Sequence, residues 1–323
     1  ASSRHSDMQR VMLFLSLCLI SMTNGALYYP DPNAADQQLH HRVNTVQVER
    51  LAQRIPTVNT AKKYEIALLV ISAAWESAER EEIRQLWASE DESDMQKEGR
   101  SVVIFLVGRS DDLDEEAATY GDLLQVDIEE IYRNLVYKIE AGFRWIKENL
   151  QSDFVAKIDS DSVVHIDRLY LNLLNTDMME PANHWFVCSS SEEAPPIRDS
   201  ESKWYVPESD YAPAVYPIYC RGAGYAMKRA TFDTIVERMG KHKVFEIEDA
   251  FFTGVVAQDI ENITFVPGMV ASEYTIFSDC DADGEPSLSI LNIDGQFKQY
   301  GDSQSDLAAA WEILKWPYCA RGE

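Results

Sequence analysis

Positive charge is what this sequence lacks most. Lys and Arg number 29 against 54 Asp and Glu, a formal net charge of -25. The acidic residues are spread along the chain and not gathered in one tail, which argues against nucleic acid as a partner. Such a surface also repels small anions, so an anionic ligand would need a cation and local Arg or Lys to offset the field. Histidine is sparse, six in all and none after His242. The run Val11 to Ile20 is shorter than the ~20 residues of a membrane span. With Arg10 before it and Ser21-Met22-Thr23-Asn24-Gly25-Ala26 after it, it reads as a secretory signal cleaved before Ala26 or a short signal anchor, residues 1–25. No internal repeat is present, and no Gly-x-Gly-x-x-Gly, which disfavours a dinucleotide site. The five cysteines lack the close pairs of a zinc site. Cys18 lies inside the apolar run, leaving Cys188, Cys220, Cys280 and Cys319. An even set in a secretory context predicts two disulfides, with three pairings open.

What is present is enough apolar sequence, 46% of 323 residues, to bury a large core. Residues 26–61 are polar, with Pro30 and Pro32, and read as a stem or linker. Order is expected from Lys62. Apolar runs Tyr64 to Ser72, Ser101 to Val107, Leu123 to Val126 and Phe154 to Ile158 have strand length, and charged segments of helical spacing separate them. Ile128, Ile131, Tyr132, Leu135, Ile139, Phe143, Ile146 and Leu150 form the stripe of one long amphipathic helix. Further strands are expected at Trp185 to Cys188, at Trp204 to Val206 as part of a hairpin, and at Tyr225 to Met227. Helices are expected at Ala230 to Met239, Ile247 to Ala257 and near Leu307 to Leu314. Alternating strands and helices predict an α/β fold, a mainly parallel twisted sheet covered by helices on both faces. No interior linker divides the chain after Lys62, so residues 62–323 form one domain. Asn262-Ile263-Thr264 is a single glycosylation sequon.

Chemistry concentrates in Val155-Ala156-Lys157-Ile158-Asp159-Ser160-Asp161-Ser162. In an extended chain Asp159 and Asp161 point to one side and Ser160 to the other. Two carboxylates then face one hard cation, which shares its remaining positions with phosphate oxygens. A cap or a closed turn is the alternative use of such aspartates. Glu248-Asp249 opens a predicted helix, where carboxylates cap and are favoured by the dipole.

Seven segments in order carry a resemblance: Arg80-Glu81-Glu82-Ile83-Arg84-Gln85-Leu86-Trp87, Ile104-Phe105-Leu106-Val107-Gly108, Asp127 to Asn134, and Lys157-Ile158-Asp159-Ser160-Asp161. Then come Lys203-Trp204-Tyr205-Val206, Tyr216-Pro217-Ile218-Tyr219-Cys220-Arg221-Gly222-Ala223-Gly224-Tyr225, and Glu248-Asp249-Ala250-Phe251-Phe252-Thr253-Gly254. From about Tyr64 to the C-terminus the chain resembles the β-1,3-galactosyltransferases of glycosyltransferase family thirty-one, which also holds the Fringe proteins and the β-1,3-N-acetylglucosaminyltransferases. The resemblance implies a GT-A fold, a UDP-sugar donor, a manganese-type divalent cation (Mn2+) and inversion at the anomeric carbon. It implies a glycoprotein or glycolipid glycan as acceptor, galactose as the family's commonest sugar, and a place in the secretory pathway, in the Golgi lumen as a type II membrane protein or secreted after cleavage.

By the same resemblance Asp249 is the base that receives the acceptor's proton, with Glu248 as second choice or as an acceptor-orienting group. Asp159 and Asp161 hold the metal, and Arg84, Ser160, Gly222 and Gly224 join them at the donor, with an ion pair beside a buried Trp87 the alternative use of Arg84 and a tight turn into a strand that of the glycines. Lys203, Trp204 and Tyr205 line the acceptor cleft, where aromatic faces suit sugar rings. Two departures stand out. Family members often present a C-terminal histidine as third metal ligand, whereas here Asn292 and Asp294, or Asp279 and Asp281, offer oxygens instead. Arg221 also stands where small residues are usual. A catalytically weak relative acting as a glycan-binding or chaperone-like accessory protein is the alternative reading. A glycoside hydrolase would need a carboxylate pair and no nucleotide, which nothing in the motifs demands.

Overall fold

The computed structural model describes residues 52–180, 184–271, 277–278, 280, 286–293, 305–315 and 318–319. The expected signal or anchor, and the stem up to residue 51, lie outside them. Among the described residues no helix is long and apolar enough to cross a membrane.

Strand β1, Ala52–Arg54, comes from the segment read as stem, and β2, Lys63–Ile71, follows it. Next are α1, Ser77–Gln85, α2, Asp94–Lys97, β3, Ser101–Val107, α3, Asp114–Tyr120, and β4, Leu123–Val126. Then come α4, Leu135–Asn149, β5, Gln151–Asp159, β6, Ser162–Val164, α5, Ile166–Met179, β7, His184–Ser191, β8, Tyr219–Lys228, and α6, Arg229–Arg238. The remainder comprises β9, Ile263–Val266, β10, Val270–Ala271, β11, Phe277–Ser278, β12, Ile290–Asn292, α7, Asp306–Lys315, and β13, Tyr318–Cys319.

Eight strands form one sheet in the order β1-β4-β3-β2-β5-β8-β7-β9. The half from β4 to β5 is parallel, whereas β8 enters antiparallel to both β5 and β7. Helices cover both faces, as the alternating pattern demands, because a parallel strand is buried on both sides. In β2, Ala67, Leu69 and Ile71 pack beneath α4 and α6, while Ile66, Leu68 and Val70 pack toward α1, α5 and α7. A small second sheet, β10-β12-β6, closes that second layer.

The long stripe over Ile128 to Leu150 is α-helical only from Leu135, after a single 3-10 turn at Tyr132–Asn134. Its first turn is held as a loop because the Glu130 carboxylate accepts from the Ala74 and Gly108 backbone amides and from Lys138 Nζ. Ile131 is accordingly exposed while Ile128 stays buried. Trp204 to Val206 forms no strand; Tyr205 makes one isolated bridge with Ile197. Beyond Glu248-Asp249 the chain is π-helical over Ala250–Val256.

Candidate functional site

Strand β5 places Lys157, Ile158 and Asp159 at the carboxyl end of the sheet, with Asp159 the register partner of Ile71 at the end of β2. Alternation puts Lys157 on the same side as Asp159. Lys157 is fully buried. Its Nζ donates to Asp159 Oδ1 at 2.6 Å and to the Gly222 carbonyl at 2.6 Å, and pairs with Glu248 Oε1 at 2.7 Å. That satisfies all three of its protons. The Asp159 and Glu248 charges hold the ammonium above its usual range, outweighing the opposing effect of burial. One buried cation therefore joins the end of β5 at Asp159, β8 at Gly222 and the start of the Glu248 helix.

Four carboxylates gather around this point. Glu248 is buried, and its second oxygen accepts from the Tyr225 hydroxyl at 3.2 Å. Burial, with the nearby charges of Asp249 and Asp159, pushes its carboxyl up against the opposing pull of Lys157. Asp249 is half-buried, with Oδ1 accepting from the Ala250 amide at 2.7 Å. Its carboxyl is pushed up to about 6, chiefly by burial and further by the Asp159 charge. Asp161 reaches solvent, yet the protein around it and the Asp159 charge raise its carboxyl as well. Asn292 Nδ2 donates to Asp161 Oδ1 at 2.7 Å and to Ser162 Oγ at 2.9 Å.

Gly222 sits between these groups. A β-carbon there would stand 3.5 Å from Asp249 Oδ2, 3.5 Å from Glu248 Oε1 and 3.8 Å from Asp159 Oδ2. Its value is close approach, since neither Gly222 nor Gly224 has a positive φ. Gly224 does a different job: its missing side chain makes room for Ile290 of β12, 3.1 Å from where a β-carbon would be.

Ser160 points away from the two aspartates, and its Oγ donates to Glu76 Oε2 at 2.9 Å. Among the described residues no group of three or more His, Cys, Asp or Glu side chains stands ready to hold an ion. Asp279, Asp281 and Asp294 lie outside them. Arg84 is placed elsewhere. It donates to Asp122 and Glu116 and lies over the rings of Phe105 and Tyr120, with its carbon 4.7 and 3.9 Å from their centres. There it lines a cavity of about 420 Å³ with Tyr64, Lys62 and Ser101, at the amino ends of β2 and β3. Arg80, one helical turn earlier, is the arginine that reaches the loop beside Ser160, donating to Ser72 Oγ and the Ala73 and Ala74 carbonyls.

Of the residues expected at the acceptor, Lys203 has its Nζ 4.4 Å from the centre of the Trp204 ring and 5.9 Å from that of Tyr132. Tyr132 in turn feels the charges of Asp249 and Glu248, which with burial raise its hydroxyl well above the usual range. Tyr132 thus stands between Lys203 and the carboxylates, while half-buried Tyr205 bridges to Ile197. Tyr132 and Lys157 are residues that the sequence reading left without a role. A lysine two places before Asp159 inside an apolar strand was the available signal for one. The helical stripe hid the other.

Cys188 and Cys220 form a disulfide, and Cys280 is disulfide-bonded too, so the expectation of bridged cysteines holds for these three. The first bridge ties β7 to β8 beside Gly222.

This arrangement has named relatives. The chain belongs to the galactosyltransferase family, whose model, described as Galactosyltransferase, matches residues 78–264, more than half of the chain. It is 27% identical to β-1,3-galactosyltransferase bre-2 of Caenorhabditis elegans over 71% of this chain and 67% of that protein. It is 31% identical to human β-1,3-galactosyltransferase 5 over 58% of this chain and 60% of the relative, and 28% identical to mouse β-1,3-galactosyltransferase 1 over 58% of each. The chain thus spans about three fifths to two thirds of the length of these relatives. Among solved structures, a 4-diphosphocytidyl-2C-methyl-D-erythritol synthase from Anaerococcus prevotii is 16% identical over 78% of this chain and 99% of its own, at a TM-score of 0.37, too loose a likeness to carry an argument.

Proposed function

We propose that this protein is an inverting glycosyltransferase that moves galactose from UDP-galactose to a hydroxyl of a glycoprotein or glycolipid glycan, forming a β-1,3 linkage. The observation that carries the reading is the placement of Asp249. Both oxygens of Glu248 are engaged, by Lys157 and Tyr225, and the residue is buried, whereas Asp249, held by the Ala250 and Gly222 backbone amides, is only half-buried and lies beside Gly222 and Asp159. Asp249 is therefore the base, and Glu248 its orienting neighbour. The family and the names of the relatives support the sugar and the linkage.

Four carboxylates against one buried lysine fit a divalent cation, because oxygen donors suit hard ions and the excess negative charge would otherwise repel a diphosphate. Asp159 and Asp161 would hold it, with manganese the expected ion. When bound, it neutralises charge on the departing diphosphate. The acceptor oxygen attacks the anomeric carbon from the side opposite the diphosphate. As that new bond forms, the bond from carbon to the diphosphate oxygen breaks, and the hydroxyl proton passes to Asp249. Lys203 and Trp204 hold the acceptor sugar against Tyr132. The disulfides fit an oxidising compartment, in keeping with the secretory lumen.

The test is UDP release from UDP-galactose with manganese and a panel of glycan acceptors. Turnover by the wild-type chain should fall by about 10²- to 10⁴-fold in Asp249→Asn, the usual worth of a positioned base, while UDP with manganese still raises its melting temperature. Turnover of Asp249→Asn within a few-fold of wild type would remove Asp249 from its role. No turnover of any UDP-sugar by the wild type would overturn the reading.

A further inference from the structure

We propose that Trp75 is the surface on which the base of the donor nucleotide stacks, an inference that rests on the UDP-sugar reading above. Strand β2 ends at Ile71, opposite Asp159, and in a parallel sheet a nucleotide lies beyond the carboxyl ends of the strands. The loop that leaves β2 there, residues 72–76, touches the Asp159-Ser160-Asp161 segment directly, since Glu76 Oε2 accepts from Ser160 Oγ.

The backbone of this loop is pinned on every side. The Glu76 carboxylate accepts from the Ala73 amide and from Ser72 Oγ, the Glu130 carboxylate accepts from the Ala74 amide, and the Arg80 guanidinium donates to the Ala73 and Ala74 carbonyls. Yet Trp75 is 71% exposed, while Trp87, Trp145, Trp185 and Trp311 are all buried. A large apolar ring on a rigid loop, held out into solvent, is organised for a flat partner before that partner arrives. An aromatic face accepts any base without needing charge. That suits this end of the sheet, where the nearby cations Arg80, Lys138 and Lys157 are already committed to carboxylates and carbonyls. The diphosphate then reaches toward Asp159 and Asp161 while the base stays on Trp75.

The experiment is calorimetric titration of UDP, at saturating manganese, into the wild-type chain, Trp75→Ala and Trp75→Phe. Trp75→Ala should weaken UDP about tenfold, within the range that loss of one stacked base costs. Trp75→Phe, which keeps a ring, should stay within about threefold of wild type. Because Trp75 is exposed, both variants should melt at the wild-type temperature without ligand. A Trp75→Ala protein that binds UDP within twofold of wild type, or a Trp75→Phe protein as weak as Trp75→Ala, would overturn the stacking role and leave the transferase reading standing. A wild-type chain that binds no UDP would take both down together.

Discussion

Lys157→Met is the substitution that tests the site's electrostatics most directly. The methionine fills a similar volume, but Asp159 and the buried Glu248 lose their shared cation and the Gly222 carbonyl loses its donor. Removing one partner of a buried ion pair costs about 3–5 kcal/mol, because the other charge stays buried and uncompensated. In a domain of this size that lowers the melting temperature by roughly 6 to 20 °C. The cost must depend on pH with a definite sign. Burial and the Asp249 and Asp159 charges already raise the Glu248 carboxyl, and loss of Lys157 raises it further. A carboxyl whose folded pKa lies above its unfolded one destabilises the native state as pH rises through that window. The deficit should therefore be largest at pH 7.5 and smaller at pH 5, where Glu248 is protonated. Differential scanning calorimetry of both proteins at the two pH values reads this. A variant that melts within about 2 °C of wild type at pH 7.5, or whose deficit is the same at pH 5, would refute the account of Lys157 as the cluster's counter-ion.

Three further expectations follow from the geometry. Burial pushes the Asp249 carboxyl up, so kcat/KM should fall on the acid side and level off above it, as a pH-rate profile with saturating manganese would show. Cys188→Ser together with Cys220→Ser opens a loop of sequence separation 32 and should cost about 3–4 kcal/mol in urea unfolding, by loop-closure entropy. Gly142→Ala should cost about 1–3 kcal/mol, since its β-carbon would stand 2.7 Å from a Leu106 methyl and 2.9 Å from a Leu69 methyl where α4 lies on the sheet; an unchanged midpoint would show that this interface yields freely.

The strands of the parallel half were legible because each is a nearly continuous apolar run, and β3 and β4 fall where the runs do. The Asp159-Ser160-Asp161 segment was legible for the same reason, as the polar end of such a run. Other features were set by tertiary contacts that no local pattern reveals. Ile128 and Ile131 fit the stripe of α4, but three donors to Glu130, drawn from β2's loop, β3's end and α4 itself, hold that stretch as a loop. Arg84 shares a helix with Arg80, and only the direction in which α1 runs back along the sheet decides which of them reaches the carboxyl ends. Gly222 and Gly224 look equivalent in sequence, yet one faces carboxylates and the other a neighbouring strand.

The Cys188–Cys220 bridge joins the strands that bracket residues 192–218, the stretch that holds Lys203 and Trp204. That stretch is a stapled excursion whose two ends cannot drift apart, whatever its sequence between them. Substitutions or insertions within it can reshape what is presented to an acceptor while β5, Lys157 and Gly222 stay where they are. Under the proposed function, acceptor preference is thus free to diverge along a lineage faster than the donor machinery, with the covalent staple as the boundary between the two.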